Sequence, residues 1–209
     1  MNTDLDLTHL FAIAAALGWA SGLRLYAVVF LTGLAGSLGW VPLPSGLSVL
    51  QHPAMLWASG GLLLVEFLAD KVPWVDSLWD SVHTFSRIPA GAALAYGVFG
   101  GDQATWATVA ALLGGTLAAT AHTAKATARA AANTSPEPFS NLALSLAGDA
   151  LVPSMLWLSW QHPVWFFVAL ALALVVMIIT TVLLFKFLRG LGRKLRGHFL
   201  PTKIGTGAH

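Results

Sequence analysis

Residues 62–87, LLLVEFLADKVPWVDSLWDSVHTFSR, set the tightest limit on what this chain can fold into. A lipid-compatible run passes without a break into Glu66, Asp70, Lys71, Asp76, Asp80, His83 and Arg87. An ionisable side chain at the centre of a membrane helix costs roughly 3 kcal/mol unless it is paired or hydrated. The chain must turn these groups toward one another or toward trapped water. A polar site inside a membrane protein is the expectation.

The rest of the sequence agrees with that reading. Of 209 residues, 56% are hydrophobic and only 10% are charged, against about 25% charged in soluble domains. Several runs approach the roughly 20 apolar residues that cross a bilayer. Six of the eleven basic residues gather at the end: Lys186, Arg189, Arg193, Lys194, Arg196 and Lys203. Basic clusters beside a span stay cytoplasmic, so the C-terminus is expected inside, where it can meet anionic head groups. The patch is short and juxtamembrane, so no nucleic-acid partner is expected. The absence of cysteine removes disulfides, thiolate metal sites and cysteine nucleophiles. The N-terminal MNTDLDLTHLF is acidic and lacks the basic start of a signal peptide, so the first apolar run is expected to be kept.

Six hydrophobic segments follow along the chain. The first, 10–39, holds Arg24 near its middle, with Gly18, Gly22, Gly33 and Gly36 around it; its length suits a tilted span or a broken helix. VPLPSG (41–46) makes a loop. The second segment, 53–72, stops at Pro73. Residues 74–87 read as a short amphipathic piece with interfacial Trp74 and Trp79. The third segment, 88–100, is too short for a perpendicular span and is expected to be re-entrant or packed inside. The fourth, 104–133, is rich in small residues that let helices approach closely in lipid. The fifth, 139–160, carries Asp149 and Pro153. The sixth, 163–188, is uncharged until Lys186 and reads as the lipid-facing anchor. The division is an N-terminal tail (1–9), a transmembrane domain (10–190) and a basic cytoplasmic tail (191–209). Glu66, Asp70 and Pro73 are echoed by Ser145, Asp149 and Pro153. Halves 10–100 and 104–190 could thus form an inverted repeat, a common transporter plan. Six crossings put both termini inside; a re-entrant third segment leaves five and puts the N-terminus outside.

Polar residues recur on helical faces. His122, Lys125, Arg129 and Asn133 are spaced by three, four and four, which places them on one face. With Arg24 they form the candidate cationic binding set. Glu66 and Asp70 share a face, and Asp149 shares one with Ser145 and Asn141; these three carboxylates are the candidates for carrying a proton or ion. Neighbouring carboxylates repel, so each needs a proton or a cation. Arg24, Lys125 or Arg129 would supply it to Asp70 or Asp149, while Lys71 should point elsewhere. Asp76, Asp80 and His83 recur at i, i+4 and i+7, a set able to ligate a divalent metal, although the same residues suit the wet side of an interfacial helix. Arg87, Glu137 in TSPEPFSN (134–141), and Asn141 are candidate gate residues. His9, His52, His162, His198 and His209 lie at segment starts or in the tail.

The chain has no P-loop, GxSxG, HExxH or dinucleotide turn, and no cofactor is implied beyond that metal. Four stretches, SGLRLYAVVFLTGL (21–34), EFLADKVPWVDSLWDSVHTFSRIPAGA (66–92), GGTLAATAHTAKATAR (114–129) and NTSPEPFSN (133–141), resemble the bacterial membrane family named domain of unknown function 4126. The resemblance covers about residues 10–160. It implies a multi-pass inner-membrane protein and no particular activity. It also implies an acidic pair ahead of the aspartate in the fifth segment, where this chain has Gly148.

The expectation is an all-α polytopic bundle. Its leading function is a small transporter or lipid-carrier translocase for an anionic solute or head group, driven by proton or ion coupling. A membrane-embedded, metal-dependent enzyme acting on lipid head groups is the second reading. A structural or assembly subunit is the third. Small-residue faces allow a homodimer.

Overall fold

The structure is a computed structural model that describes residues 5–134 and 139–199; for residues 73, 74, 76, 77, 80, 102 and 194–199 it describes the backbone alone. Six long helices carry the fold: α1 (Leu7–Ser37), α2 (Pro53–Ala69), α3 (Pro73–Phe99), α4 (Ala104–Ala132), α5 (Phe139–Gln161) and α6 (Pro163–Phe199). A short 3₁₀ helix, Ser45–Gln51, precedes α2 at an angle of 69° to it. The all-helical membrane bundle read from the sequence is borne out. α1, α4, α5 and residues 163–193 of α6 are each long and apolar enough to cross a bilayer, and the bent 3₁₀–α2 pair is a fifth candidate. Asp6 caps α1 by accepting the His9 amide at 2.8 Å. That bond, with the His9 ring beside it, holds the Asp6 carboxyl below its ordinary pKa. Its stabilising contribution is present at neutral pH and is lost as pH falls through the lowered value.

α1 does not run straight. Arg24 leaves the helical region at φ −148° and ψ 85°, and contacts on either side show a fold-back there. α6 lies against Leu7 and Phe11 at Phe167 and Leu170, and against Leu23 and Arg24 at Met177. It therefore descends beside the first limb of α1. α5 touches Arg24 at Ser145 and climbs back to Trp160, just ahead of the start of α6. The Trp160 indole donates to the Pro42 carbonyl at 3.3 Å. A straight α1 would carry Ser37 about 45 Å beyond Leu7. Only five residues join Ser37 to Pro42, at most about 18 Å of chain. The two limbs, 7–23 and 25–37, must return to the same side, with Arg24 at the tip.

The remaining helices follow from this hairpin. α2 descends along the second limb, with Gly60 against Phe30 and Gly33 beside Leu56, and ends at the tip. α3 starts at the tip, where Tyr26 of the second limb meets His83, and climbs along the first limb to Phe11 against Phe99. α4 descends beside α3, pairing His122 with Thr84. Five helices, α2 to α6, thus pass from one side to the other, and the start of α1 and the end of α6 lie on opposite faces. Impermeant maleimide applied to sealed vesicles is expected to label Leu7→Cys or Gly192→Cys, never both; the native chain has no cysteine to interfere. Labelling of both from one side would mean that α1 crosses outright.

Residues 88–100 are neither separate nor re-entrant. They continue the amphipathic piece 74–87 in one 27-residue helix, α3, with Pro89 inside it. At 1.5 Å per residue this helix is ~40 Å long, enough to cross although its first half is charged. Within that half, Arg87 is buried and paired with Glu66 of α2, a neighbour that composition alone does not reveal. Of the two alternatives for segment 10–39, a tilted span or a broken helix, the structure has the broken helix.

The first limb of α1 is the centre of the bundle: Ile13, Leu17 and Trp19 are fully buried. Glycines let its neighbours close in. A Cβ on Gly18 would fall on the Gly114 backbone, and one on Gly91 would lie 2.8 Å from the Ala118 methyl. α6 is the opposite case, exposing Leu172, Val175, Val176, Ile178 and Ile179, as a lipid-facing helix does.

Candidate functional site

The tip of α1 brings Arg24 to the ends of α2 and α5. A helix that reverses leaves a backbone break, and here the break carries a cation that is only 3% exposed. Its Nη2 lies 2.7 Å from Asp70 Oδ2 and 3.0 Å from Asp149 Oδ1. The same nitrogen donates to the Ser145 hydroxyl at 3.1 Å. Two carboxylates from different helices therefore share one guanidinium nitrogen.

Asp70 is the hub. α2 ends at Ala69, which leaves Asp70 and Lys71 in the turn before α3. The Asp70 carboxylate also faces Lys125 Nζ at 3.3 Å and Arg129 Nη2 at 3.9 Å. Arg129 Nη1 donates to the Asp70 carbonyl at 3.3 Å and to the Asn141 carbonyl at 3.1 Å. Asn141 in turn donates to Asn133 Oδ1 at 2.8 Å. Lys125 and Arg129 come from the polar face of α4, so that face points into the bundle.

Lys71 departs from expectation. Rather than pointing away, it reaches α5, contacting Asp149 Oδ2 at 3.1 Å and the Ser145 hydroxyl at 2.8 Å. The helical direction assumed for it fails because the helix has already ended. Its ammonium also sits 3.7 Å from the centre of the Phe67 ring, a contact that favours a partly desolvated cation.

One turn back along α2 lies a second cluster. Glu66 and Arg87 are both fully buried, 2.9 Å apart. His122 Nδ1 is 3.5 Å from Arg87 Nη1, and its Nε2 is 3.0 Å from the Thr84 hydroxyl. Glu66 and Asp70 thus solve their mutual repulsion with separate cations. Two sequence-based assignments move as a result. His122 joins the Glu66 pair rather than the Arg24 group. Arg87, a candidate gate residue, is fully buried and paired with Glu66.

Of the metal set, only the His83 side chain lies among the described residues. His83 stacks on Trp79 with ring centres 4.1 Å apart, and its Nδ1 lies 2.8 Å from the Trp79 carbonyl. The side chains of Asp76 and Asp80, and all of Glu137, lie outside the described residues. Among the described residues no group of three His, Asp or Glu is placed to hold a metal.

A pocket of about 170 Å³ opens beside the Arg24 group. Arg24, Asp70, Lys125 and Arg129 are at its polar end; Leu144 and Leu151 of α5 and Met177 of α6 form apolar walls. Arg24 Nη1 is buried there with no hydrogen-bond acceptor among the described residues. Gly148 lines the same pocket, and a Cβ on it would come within 3.3 Å of Arg24 Nε. Glycine at this position leaves room next to the guanidinium. Sequence reading missed the α6 contribution, because an uncharged helix gives no sign of which turn it lends to a site.

The family described as domain of unknown function (DUF4126) matches residues 11–182. The chain belongs to DUF4126. That match takes in α1 from Phe11 onward, α2 to α5 and α6 up to Val182, so every residue of both charged clusters is inside the family's extent. No curated protein and no solved structure matches this DUF4126 chain.

Proposed function

We propose that this protein is a small transporter or translocase of the bacterial inner membrane, moving an anionic solute or lipid head group with proton or ion coupling. The observation that carries the reading is the sharing of Arg24 Nη2 by Asp70 and Asp149 beside an open pocket. An anion entering the pocket competes with these carboxylates for the guanidinium. A carboxylate released at this depth is costly unless neutralised, so it takes up a proton or a cation. Occupancy by substrate and occupancy by the coupling ion become linked. Glu66, closed against Arg87, is the reserve carboxylate one turn away.

Two further features support this reading. Asp70 follows the end of α2 and Asp149 lies within α5, and these two helices run in opposite directions, the relation an inverted repeat expects of that pair. The basic residues Lys186, Arg189 and Arg193 close α6, so by the positive-inside tendency the C-terminus is cytoplasmic and the N-terminus outside. The site then lies in the cytoplasmic half of the bilayer.

The test is flux in proteoliposomes, read for radiolabelled inorganic phosphate and for head-group translocation of tail-labelled phosphatidic acid. Asp70→Asn and Asp149→Asn are each expected to abolish whichever flux the native protein shows, with detergent melting retained by at least one of them. Native flux surviving both changes ends the mechanism. The short ion-pair distances also favour a second reading, in which the charges only staple helices together. That reading expects a stability loss in these variants and no flux in the native protein.

A further inference from the structure

The shape of the pocket says more about its occupant than its charge does. Its polar end is lined by Arg24, Lys125, Arg129 and Asp70, and Arg24 Nη1 is buried with no acceptor among the described residues. Away from that end the walls are aliphatic. Leu144, Ala147 and Leu151 of α5 and Thr180 of α6 line it and are exposed on the outside of the bundle. The mouth therefore faces the hydrocarbon sideways, between α5 and α6, rather than the water at either end. A fully hydrophilic anion would leave these walls wet. An amphiphile would cover them with its chain while its head meets the cations.

Depth and size narrow the class. Thr180 precedes Lys186 by six residues on an uninterrupted helix, about 9 Å at 1.5 Å per residue. The pocket thus sits just inside the boundary marked by the basic end of α6, where lipid head groups begin. Its volume of about 170 Å³ suits a small head group. Guanidinium and ammonium donors favour an oxyanion with several acceptors.

We propose that this pocket binds the head of a membrane amphiphile ending in an unsubstituted phosphate, admitted sideways from the leaflet that the basic end of α6 faces. The inference rests on the proposed transport reading and deepens it. Arg24 Nη1 holds a phosphate oxygen, Lys125 and Arg129 face the remaining charge, and Gly148 keeps the approach to Arg24 open. The chain of the amphiphile lies along Leu144, Leu151 and Met177.

Equilibrium binding tests it without requiring flux. The purified full chain in detergent is titrated with tail-labelled phosphatidic acid and challenged with unlabelled phosphatidic acid, phosphatidylcholine or millimolar inorganic phosphate. Displacement is expected by phosphatidic acid alone. Arg24→Gln should weaken binding by about tenfold or more, the loss of one charge-assisted hydrogen bond. Ala147→Trp, on the exposed wall, should weaken it as much while leaving the melting temperature unchanged, which separates blockage of the mouth from misfolding. Displacement by phosphatidylcholine, or full affinity in Ala147→Trp, overturns the site. Displacement by inorganic phosphate as strong as by phosphatidic acid overturns the amphiphile class and leaves anion transport standing. Binding as expected without any flux overturns the transport reading and leaves the site standing.

Discussion

Arg87→Met is expected to lower stability by about 3–5 kcal/mol, the cost of leaving one partner of a buried ion pair behind. The estimate is large because neither side has water to fall back on: Glu66 and Arg87 are both at 0% exposure and 2.9 Å apart. The pair joins α2 to α3, and His122 and Thr84 extend it to α4. Removing the cation strands Glu66 among three helices. The double change Glu66→Leu with Arg87→Met should recover most of the loss, since two well-packed apolar groups of similar volume replace the pair with little penalty. Unfolding in mixed micelles measures both. A single-variant cost under ~1 kcal/mol would mean that solvent reaches the pair.

The second large effect is steric. Gly114→Val should prevent α1, α3 and α4 from closing. The first added carbon would meet the Ala95 methyl and lie 2.9 Å from the Gly91 carbonyl oxygen, while Gly18 of α1 already rests on the Gly114 backbone. Overpacking a core costs about 1–3 kcal/mol or more. Here the neighbours are mainly backbone, which cannot rotate away, so the upper end applies. Gly61→Val is the control, because a side chain at Gly61 meets nothing. A lowered melting temperature and loss of a monodisperse elution peak are expected for Gly114→Val alone. Equal behaviour of the two variants would rule out the close three-helix contact.

Much of this arrangement was legible in the sequence. The spacing of His122, Lys125 and Arg129 placed them on one face, and the need of Asp70 and Asp149 for cations pointed to Arg24. These inferences use periodicity and charge, which are local. The fold-back was not legible, because a helix that reverses keeps the same apolar composition as one that crosses. The hint was length: α1 has 31 residues, more than the roughly 20 a span needs, with its only basic residue near the middle. Continuity through Ile88 was hidden by the charges of residues 76–87, which resemble an interface when their helical neighbours are unknown. Lys71 was misdirected for the opposite reason: a helical angle was applied two residues past the helix end. The pocket walls on α6 depend on which side of a uniformly greasy helix faces inward, and nothing in the residues 163–185 distinguishes the sides.

The reversal at Arg24 also sets a problem of timing for the cell. Translation delivers this arginine 46 residues before Asp70 and 125 residues before Asp149. Until both have emerged, the nascent hairpin holds a guanidinium whose anionic partners do not yet exist. The Arg24 site is therefore complete only once the second half of the chain has packed onto the first.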